Sequence, residues 1–285
     1  MTYEHSNFVN LPHIIILPSY KESETTLIQT LSVLASHPLA KHAYKVCLAM
    51  EEREVGSLAK GETLKARFQA KFRSLTVTIH PADIEGELSG KGSNVRWAAR
   101  YMAELECLES DPTPRLPLAS RVLPERIPNA VITVMDADTA FAGDYFLAVS
   151  AKYLLAHPEK RRQMMFIPPL IFDRNQSDVP TVTRVTDIFW AAASVQFFVV
   201  FTIIMRPDYS LHLRSGIGGI YPSSGAKLPT SAYSVSLALA VQIGFWDAGP
   251  QAIGEDMHMF CKSMLDTRGN VRPPSPLFPF ILNEI

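Results

Sequence analysis

Four short apolar runs, each closing on a polar or charged group and most followed by a helical pattern, constrain this chain more than any other feature. The first is Ile14-Ile15-Ile16-Leu17, ended by Pro18. The second covers residues 44–50 and the third 75–79. The fourth is Val131-Ile132-Thr133-Val134-Met135, which runs into Asp136-Ala137-Asp138. Short, continuous and largely β-branched, they read as buried strands. Between them, residues 22–35, 58–72 and 94–108 carry apolar positions at helical spacing, with Ser23 as a candidate N-cap. Residues 145–156 and 233–241 are predicted as further helices. Strands alternating with helices predict an α/β fold, a Rossmann-like, mainly parallel sheet covered by helices on both faces.

Composition narrows the function. Apolar residues make up 47% of the chain and charged residues 19%, the balance of a globular protein. With 27 basic against 28 acidic residues the net charge is −1, and no basic stripe interleaved with aromatics occurs, so nucleic acid is not an expected partner. Cys47, Cys107 and Cys261 lie far apart and form neither a zinc spacing nor a disulfide framework. That usage fits a reducing compartment, and the expected location is cytoplasmic. The polar N-terminus lacks the basic-then-apolar build of a secretory signal.

Residues 188–205 hold no charge between Asp187 and Arg206 and include Trp190, Phe197 and Phe201. A spanning helix needs about 20 apolar residues, so the segment is at the short limit. A buried helix, a helix lying at a membrane interface and a span all remain open. A span would separate motifs that belong together, so contact with the cytoplasmic face of a membrane is the stronger membrane expectation.

In parallel sheets the ligand sits beyond the carboxyl ends of the strands. The groups there are Pro18-Ser19-Tyr20-Lys21-Glu22, Glu51-Glu52-Arg53, His80-Pro81 and Asp136-Ala137-Asp138. Carboxylates crowd this edge, which points to a site. Strand alternation carries Asp136 and Asp138 to one side. There they can share a hard cation, Mg²⁺ or Mn²⁺, whose remaining ligands are substrate phosphates. The plain alternative is a strand followed by a polar turn, with Asp138 capping the next helix.

Taken in order, Pro18-x-Tyr20-x-Glu22, Gly90-Lys91-Gly92-Ser93-Asn94, Asp136-Ala137-Asp138 and Gly254-Glu255-Asp256 resemble the motifs of family 2 glycosyltransferases. The resemblance covers roughly residues 11–265. It implies a GT-A fold in one domain, 1–285. Residues 11–140 would form the nucleotide-sugar-binding half, 141–270 the acceptor half and 271–285 a tail. The implied activity is metal-dependent, inverting transfer of a sugar from a nucleoside diphosphate sugar to a hydroxyl acceptor on a glycan, lipid or protein. Uridine diphosphate is the carrier expected from the resemblance.

Roles follow from the resemblance and from the chemistry of each side chain. Pro18, Tyr20 and Glu22 would border the base, Tyr20 by stacking and Glu22 by accepting hydrogen bonds. Glu51 would be the acid that contacts the base after the second strand. Lys91 supplies a cation for the diphosphate, and Asn94 contacts ribose or sugar, or caps the helix. Asp138 would ligate the metal, and Asp136 would hold ribose or a metal-bound water. Asp256 is the candidate general base, its pKa raised by burial beside Ile253 and Met257. Glu255 would shape the acceptor pocket and Trp246 would stack on the acceptor or lie in the core. His258 touches metal or diphosphate, or is a half-buried surface histidine. Arg214-Ser215-Gly216-Ile217-Gly218-Gly219-Ile220 is a ligand-approach loop or a plain loop.

One departure stands out. Processive relatives carry Gln-x-x-Arg-Trp after the Glu-Asp segment, and this chain has none. Its apolar end, Leu277-Phe278-Pro279-Phe280-Ile281-Leu282, fits a chain cut ahead of a membrane region. A short non-processive enzyme is the other expectation. A nucleotidyltransferase would carry a glycine-rich basic loop directly after the first strand, and Pro18-Ser19-Tyr20-Lys21-Glu22 is not one. A binding module without turnover, or a fragment of a larger membrane-bound synthase, is the remaining rival.

Overall fold

The structure, a computed structural model, describes residues 10–110, 127–168, 229, 231–249 and 254–268. Its strands are β1 (His13–Ser19), β2 (Tyr44–Glu51), β3 (Ser74–His80), β4 (Val131–Met135), β5 (Met165–Phe166) and β6 (Ala232–Ser236). They form one sheet in the order β3-β2-β1-β4-β6-β5. Strands β1 to β4 run parallel, while β6 is antiparallel to both β4 and β5. The register sets Ile14 beside Lys45 and Ile132, and Ile16 beside Cys47 and Val134. The fold is the expected α/β architecture with a mainly parallel sheet.

Alternation along the strands divides the core into two layers. Ile15 and Leu17 face Leu27 and Leu31 of α1 (Glu24–Ser36), Leu64 and Phe68 of α3 (Ser57–Phe68) and Phe146 of α5 (Tyr145–Leu155). Ile14 and Ile16 face Val95, Ala98 and Met102 of α4 (Lys91–Ser110) on the opposite side. Leu239 of α7 (Leu237–Gln242) and Met259 and Phe260 of α8 (Glu255–Asp266) complete that second layer. Two one-turn helices, α2 (Ala40–Ala43) and α6 (Pro158–Arg161), lead into β2 and β5. Each fully buried Leu or Ile contributes about 1.5–3 kcal/mol by leaving water, so the sheet, clad on both faces, is a rigid base for the loops at its edge.

Local signals account for most boundaries. Ser23 caps α1, its hydroxyl accepting the Thr26 N–H at 3.0 Å. The fourth strand has the bounds read from its apolar run. Helix α4 starts at Lys91, three residues earlier than the pattern predicts, so Gly92 and Asn94 lie inside it. The largest difference is at residues 233–241, predicted as one helix. Ala232–Ser236 is instead a fully buried strand, and the helix begins only at Leu237. Its polar groups are satisfied internally: the Ser234 hydroxyl meets Thr133 at 2.7 Å and Tyr145 at 2.8 Å, and Ser236 donates to the Arg162 carbonyl at 3.0 Å. Residues 188–205 and 214–220 lie outside the described residues. Among the described residues, no helix is long and apolar enough to cross a membrane.

Candidate active site

The chain winds from β1 outward to β3 and then returns to place β4 on the other flank of β1. This reversal is the point at which a parallel sheet leaves a crevice at its carboxyl edge. The loops after β1 and β4 border it. Thr30 of α1 donates its hydroxyl to the Ala137 carbonyl and so pins the turn that follows β4.

That turn differs from the expected strand alternation. Strand β4 ends at Met135, and the Thr139 N–H donates to the Asp136 carbonyl at 3.1 Å. Asp136 and Asp138 therefore flank a turn. They still sense each other, because the charge of Asp138 contributes to the raised pKa of Asp136. Asp136 is part-buried and Asp138 exposed.

Lys91 joins this turn to two further acids. Its Nζ lies 2.6 Å from Asp136 Oδ1, 2.6 Å from Glu255 Oε1 and 3.6 Å from Asp256 Oδ2. Two helix N-termini make the meeting possible. Lys91 opens α4 directly above the sheet edge, and Glu255 and Asp256 open α8 after Gly254, whose φ of 78° suits glycine. Acids in a first turn also suit the helix dipole. Gly92 lets the two helices approach: a Cβ there would stand 3.2 Å from the Asp247 carbonyl oxygen and 3.4 Å from Glu255 Cβ.

The electrostatics are those of a crowded, half-desolvated cluster. Asp256 is 6% exposed, and its Oδ1 is buried without a hydrogen-bond partner. Burial raises its pKa to about 7 against the attraction of Lys91, with Glu255 and Asp136 adding to the rise. Burial likewise raises Asp136, although Lys91 opposes it. Burial works against the charge on Lys91, but Asp256 and Asp136 outweigh it and hold the ammonium above its ordinary range. The expected rise at Asp256 is present, but Met257 is not its cause, since that side chain is 40% exposed; Ile253 lies outside the described residues.

The loops after β1 and β2 form a second group. Tyr20 is exposed, with the Arg53 guanidinium 4.5 Å from its ring centroid and Lys21 Nζ at 5.1 Å. Arg53 is itself held by the buried Glu51 carboxylate, through Nε at 2.9 Å and through Nη2. Pro18 is buried at the end of β1, and Glu22 is exposed. The Glu22 carbonyl accepts from Lys60 at 3.1 Å, and Lys60 also pairs with Glu54. Glu54 in turn accepts the N–H of Lys21, a residue with φ of 60°. The two loops are thus tied to each other. Sequence reasoning put Arg53 at this edge but gave it no role; a cation two residues beyond an acid at a strand's end was the available signal.

Two expectations need correction on geometry. Asn94 is fully buried and donates from Nδ2 to the Ala49 carbonyl at 2.7 Å, so it fastens α4 to β2 rather than capping the helix or facing ligand. Trp246 is 1% exposed and cannot stack on an acceptor; its indole N–H donates to the Tyr233 hydroxyl at 2.6 Å. His258 is the half-buried surface histidine that was one of its two readings, and it pairs with Asp247 at 3.0 Å, beside Lys262. Tyr233 also went unrecognised. It is wholly buried, and burial first and Asp256 second raise its pKa well above the usual value.

The donor set suits a hard cation in one particular way. Among the described residues no three ligating side chains stand together as a ready metal cage. Mg²⁺ and Mn²⁺ sites that rest on one or two carboxylates and are completed by phosphate oxygens need no such cage. Asp136 and Asp138, two carboxylates on one turn, are the residues that would hold such an ion.

No protein-family model matches the chain, and no curated protein resembles it at a significant level. Solved structures do, with 27 matching chains. One is a mannosyltransferase from Pyrobaculum calidifontis in complex with GDP-Man and Mn²⁺. The match has a TM-score of 0.50 at 14% identity. The fold is of the GT-A kind. The match covers 95% of this chain but only 56% of the mannosyltransferase, so this chain spans little more than half the length of that relative.

Proposed function

We propose that this protein is a metal-dependent glycosyltransferase that moves a sugar from a nucleoside diphosphate sugar to a hydroxyl acceptor with inversion. The convergence of Lys91, Asp136, Glu255 and Asp256 at the carboxyl edge of the sheet carries this reading. A cation held at Asp138 and Asp136 would neutralise charge on the departing diphosphate. Lys91 would contact the same diphosphate. Asp256, poised near neutrality by burial, would take the proton of the acceptor hydroxyl. Glu255 would border the acceptor. Tyr20 with Arg53, and Glu51 behind them, would border the base, with Pro18 and Glu22 at the rim. A guanosine or uridine donor fits this reading; the similar mannosyltransferase was solved with GDP-Man. Family 2 membership and the division of residues 1–285 into donor and acceptor halves belong to the same proposal.

The test is a thermal-shift panel of nucleoside diphosphates with and without Mn²⁺, followed by release of nucleoside diphosphate from UDP- and GDP-sugars. Ligands that bind only the folded state raise its stability by mass action. A metal-dependent shift for one diphosphate, with turnover of its sugar, is expected. A shift without turnover of any donor would support a binding module instead. No shift with any diphosphate would remove the reading.

A further inference from the structure

One ammonium serves three carboxylates that come from the turn after β4 and the start of α8. Two of those contacts, at 2.6 Å, are short charge-assisted bonds. Asp136 Oδ1 is therefore already engaged. Asp256 adds a buried oxygen, Oδ1, with no hydrogen-bond partner. A half-desolvated group of acids with a single lysine among them is short of positive charge. A group so arranged either recruits a second cation or holds tightly to the one it has.

We propose that Lys91 is an internal counter-ion that occupies the acid cluster until a diphosphate draws it away, so that Asp136 becomes available to a divalent cation only in the company of a donor. The proposal rests on the diphosphate reading given above and adds an order to it. Lys91 is suited to this exchange because a lysine ammonium is a point charge on a flexible stem, able to swing between partners without a fixed fork geometry. Its side chain is 29% exposed, so a ligand in the crevice can reach it. Its backbone, by contrast, is fixed in the first turn of α4. Only the side chain has to move. In the resting state Lys91 competes with a metal for Asp136. When a diphosphate arrives, its oxygens take the ammonium, and the vacated carboxylate and those same oxygens become a joint site for Mn²⁺ or Mg²⁺. No bond is made or broken in this step; two cations change partners.

The exchange is tested by Mn²⁺ binding, measured by titration calorimetry and by electron paramagnetic resonance, on the wild type, Lys91→Met and Lys91→Arg. No donor sugar and no turnover are needed. Wild type should bind Mn²⁺ weakly on its own. Lys91→Met should bind it on the order of tenfold more tightly without nucleotide, within the usual span of coupling between two sites. Lys91→Arg keeps a cation in the cluster and should stay with the wild type. Equal or weaker Mn²⁺ binding by Lys91→Met overturns the proposal. Should Lys91→Met fold poorly, its unfolding midpoint across a Mn²⁺ titration gives the same comparison, and a failure of Mn²⁺ to restore that midpoint also overturns it. GDP and UDP separate this inference from the one beneath it. If either tightens Mn²⁺ on the wild type while Lys91→Met gains nothing, the donor reading stands and the counter-ion falls. If neither diphosphate changes Mn²⁺ binding, the handover falls together with the donor reading, even where Lys91→Met gains affinity.

Discussion

Replacing Asp256 by Asn removes a carboxylate whose ionisation the fold resists, and the size of that resistance can be worked out. In an unfolded chain an aspartate titrates near 3.9; in the folded protein burial moves Asp256 to about 7. Between these values the folded state holds a proton that the unfolded state has released. Stability therefore falls as pH rises through that window and is lowest above it. A difference of about three units at 1.36 kcal/mol each gives a penalty of roughly 4 kcal/mol at pH 8. The attraction of Lys91 is already contained in the folded value and is not added again. Asn has the same shape and no such proton. The stability difference between Asp256→Asn and wild type should thus grow from little at pH 4 to about 4 kcal/mol in favour of Asn at pH 8. Urea unfolding at pH 4, 5, 6, 7 and 8 measures it, since titrations away from the Lys91 cluster are common to both proteins and cancel. Two curves that stay parallel across the range would refute the reasoning, whatever their separation. The same variant should keep its thermal shift with Mn²⁺ and diphosphate and lose transfer. In the wild type, transfer should decline as pH drops below about 7 and the base takes up its proton.

Asp138→Ala should abolish the Mn²⁺-dependent part of any diphosphate shift; a surviving metal dependence would move the metal elsewhere. Asn94→Ala removes a buried bond between α4 and β2 and should cost about 1–3 kcal/mol in urea unfolding. Trp246→Phe loses the donor to Tyr233 in a buried site, with an expected cost of the same order, about 1–3 kcal/mol. It should leave diphosphate binding unchanged in a thermal-shift titration, and a loss of that binding would restore Trp246 to the ligand pocket. Tyr20→Leu removes the ring beneath Arg53 and should weaken nucleoside diphosphate binding several-fold while inorganic pyrophosphate binds as before; equal weakening of both would take Tyr20 away from the base.

Legibility differed between the two halves of the molecule for physical reasons. The strand Val131–Met135 was readable because it is buried on both faces and its one polar residue, Thr133, is β-branched and interrupts no apolar run. The strand Ala232–Ser236 was not, because Ser234 and Ser236 look exposed in sequence and are buried here by hydrogen bonds to Thr133, Tyr145 and the Arg162 carbonyl. Its apolar residues also merge without a break into those of the helix that follows. The acids at the strand ends were visible as candidates because the edge of a parallel sheet is a predictable place. Their common partner was not: Lys91 was expected to wait for phosphate, and its grip on Asp136 and Glu255 depends on two helices meeting over Gly92. Trp246 shows the opposite error. An aromatic beside a polar segment suggests a sugar platform, but its single donor found an internal acceptor in Tyr233.

The late arrival of β6 has a kinetic consequence. Thr133 and Ser234, which touch across β4 and β6, are 101 positions apart along the chain. Closing so long a loop is slow compared with zipping up neighbours. The β1–β4 portion, with its nearby helices, can condense first and would then expose β4 as an unpaired border, a template for any other extended segment. Refolding should accordingly show an early phase that protects amides in β1 and β2 and a later one that protects β6 and the β4 amides facing it. In the interval between them, high protein concentration should favour aggregation. Lys91 and Asp136 are present in that early species, and the carboxylate intended to deprotonate the acceptor is the last piece to be installed.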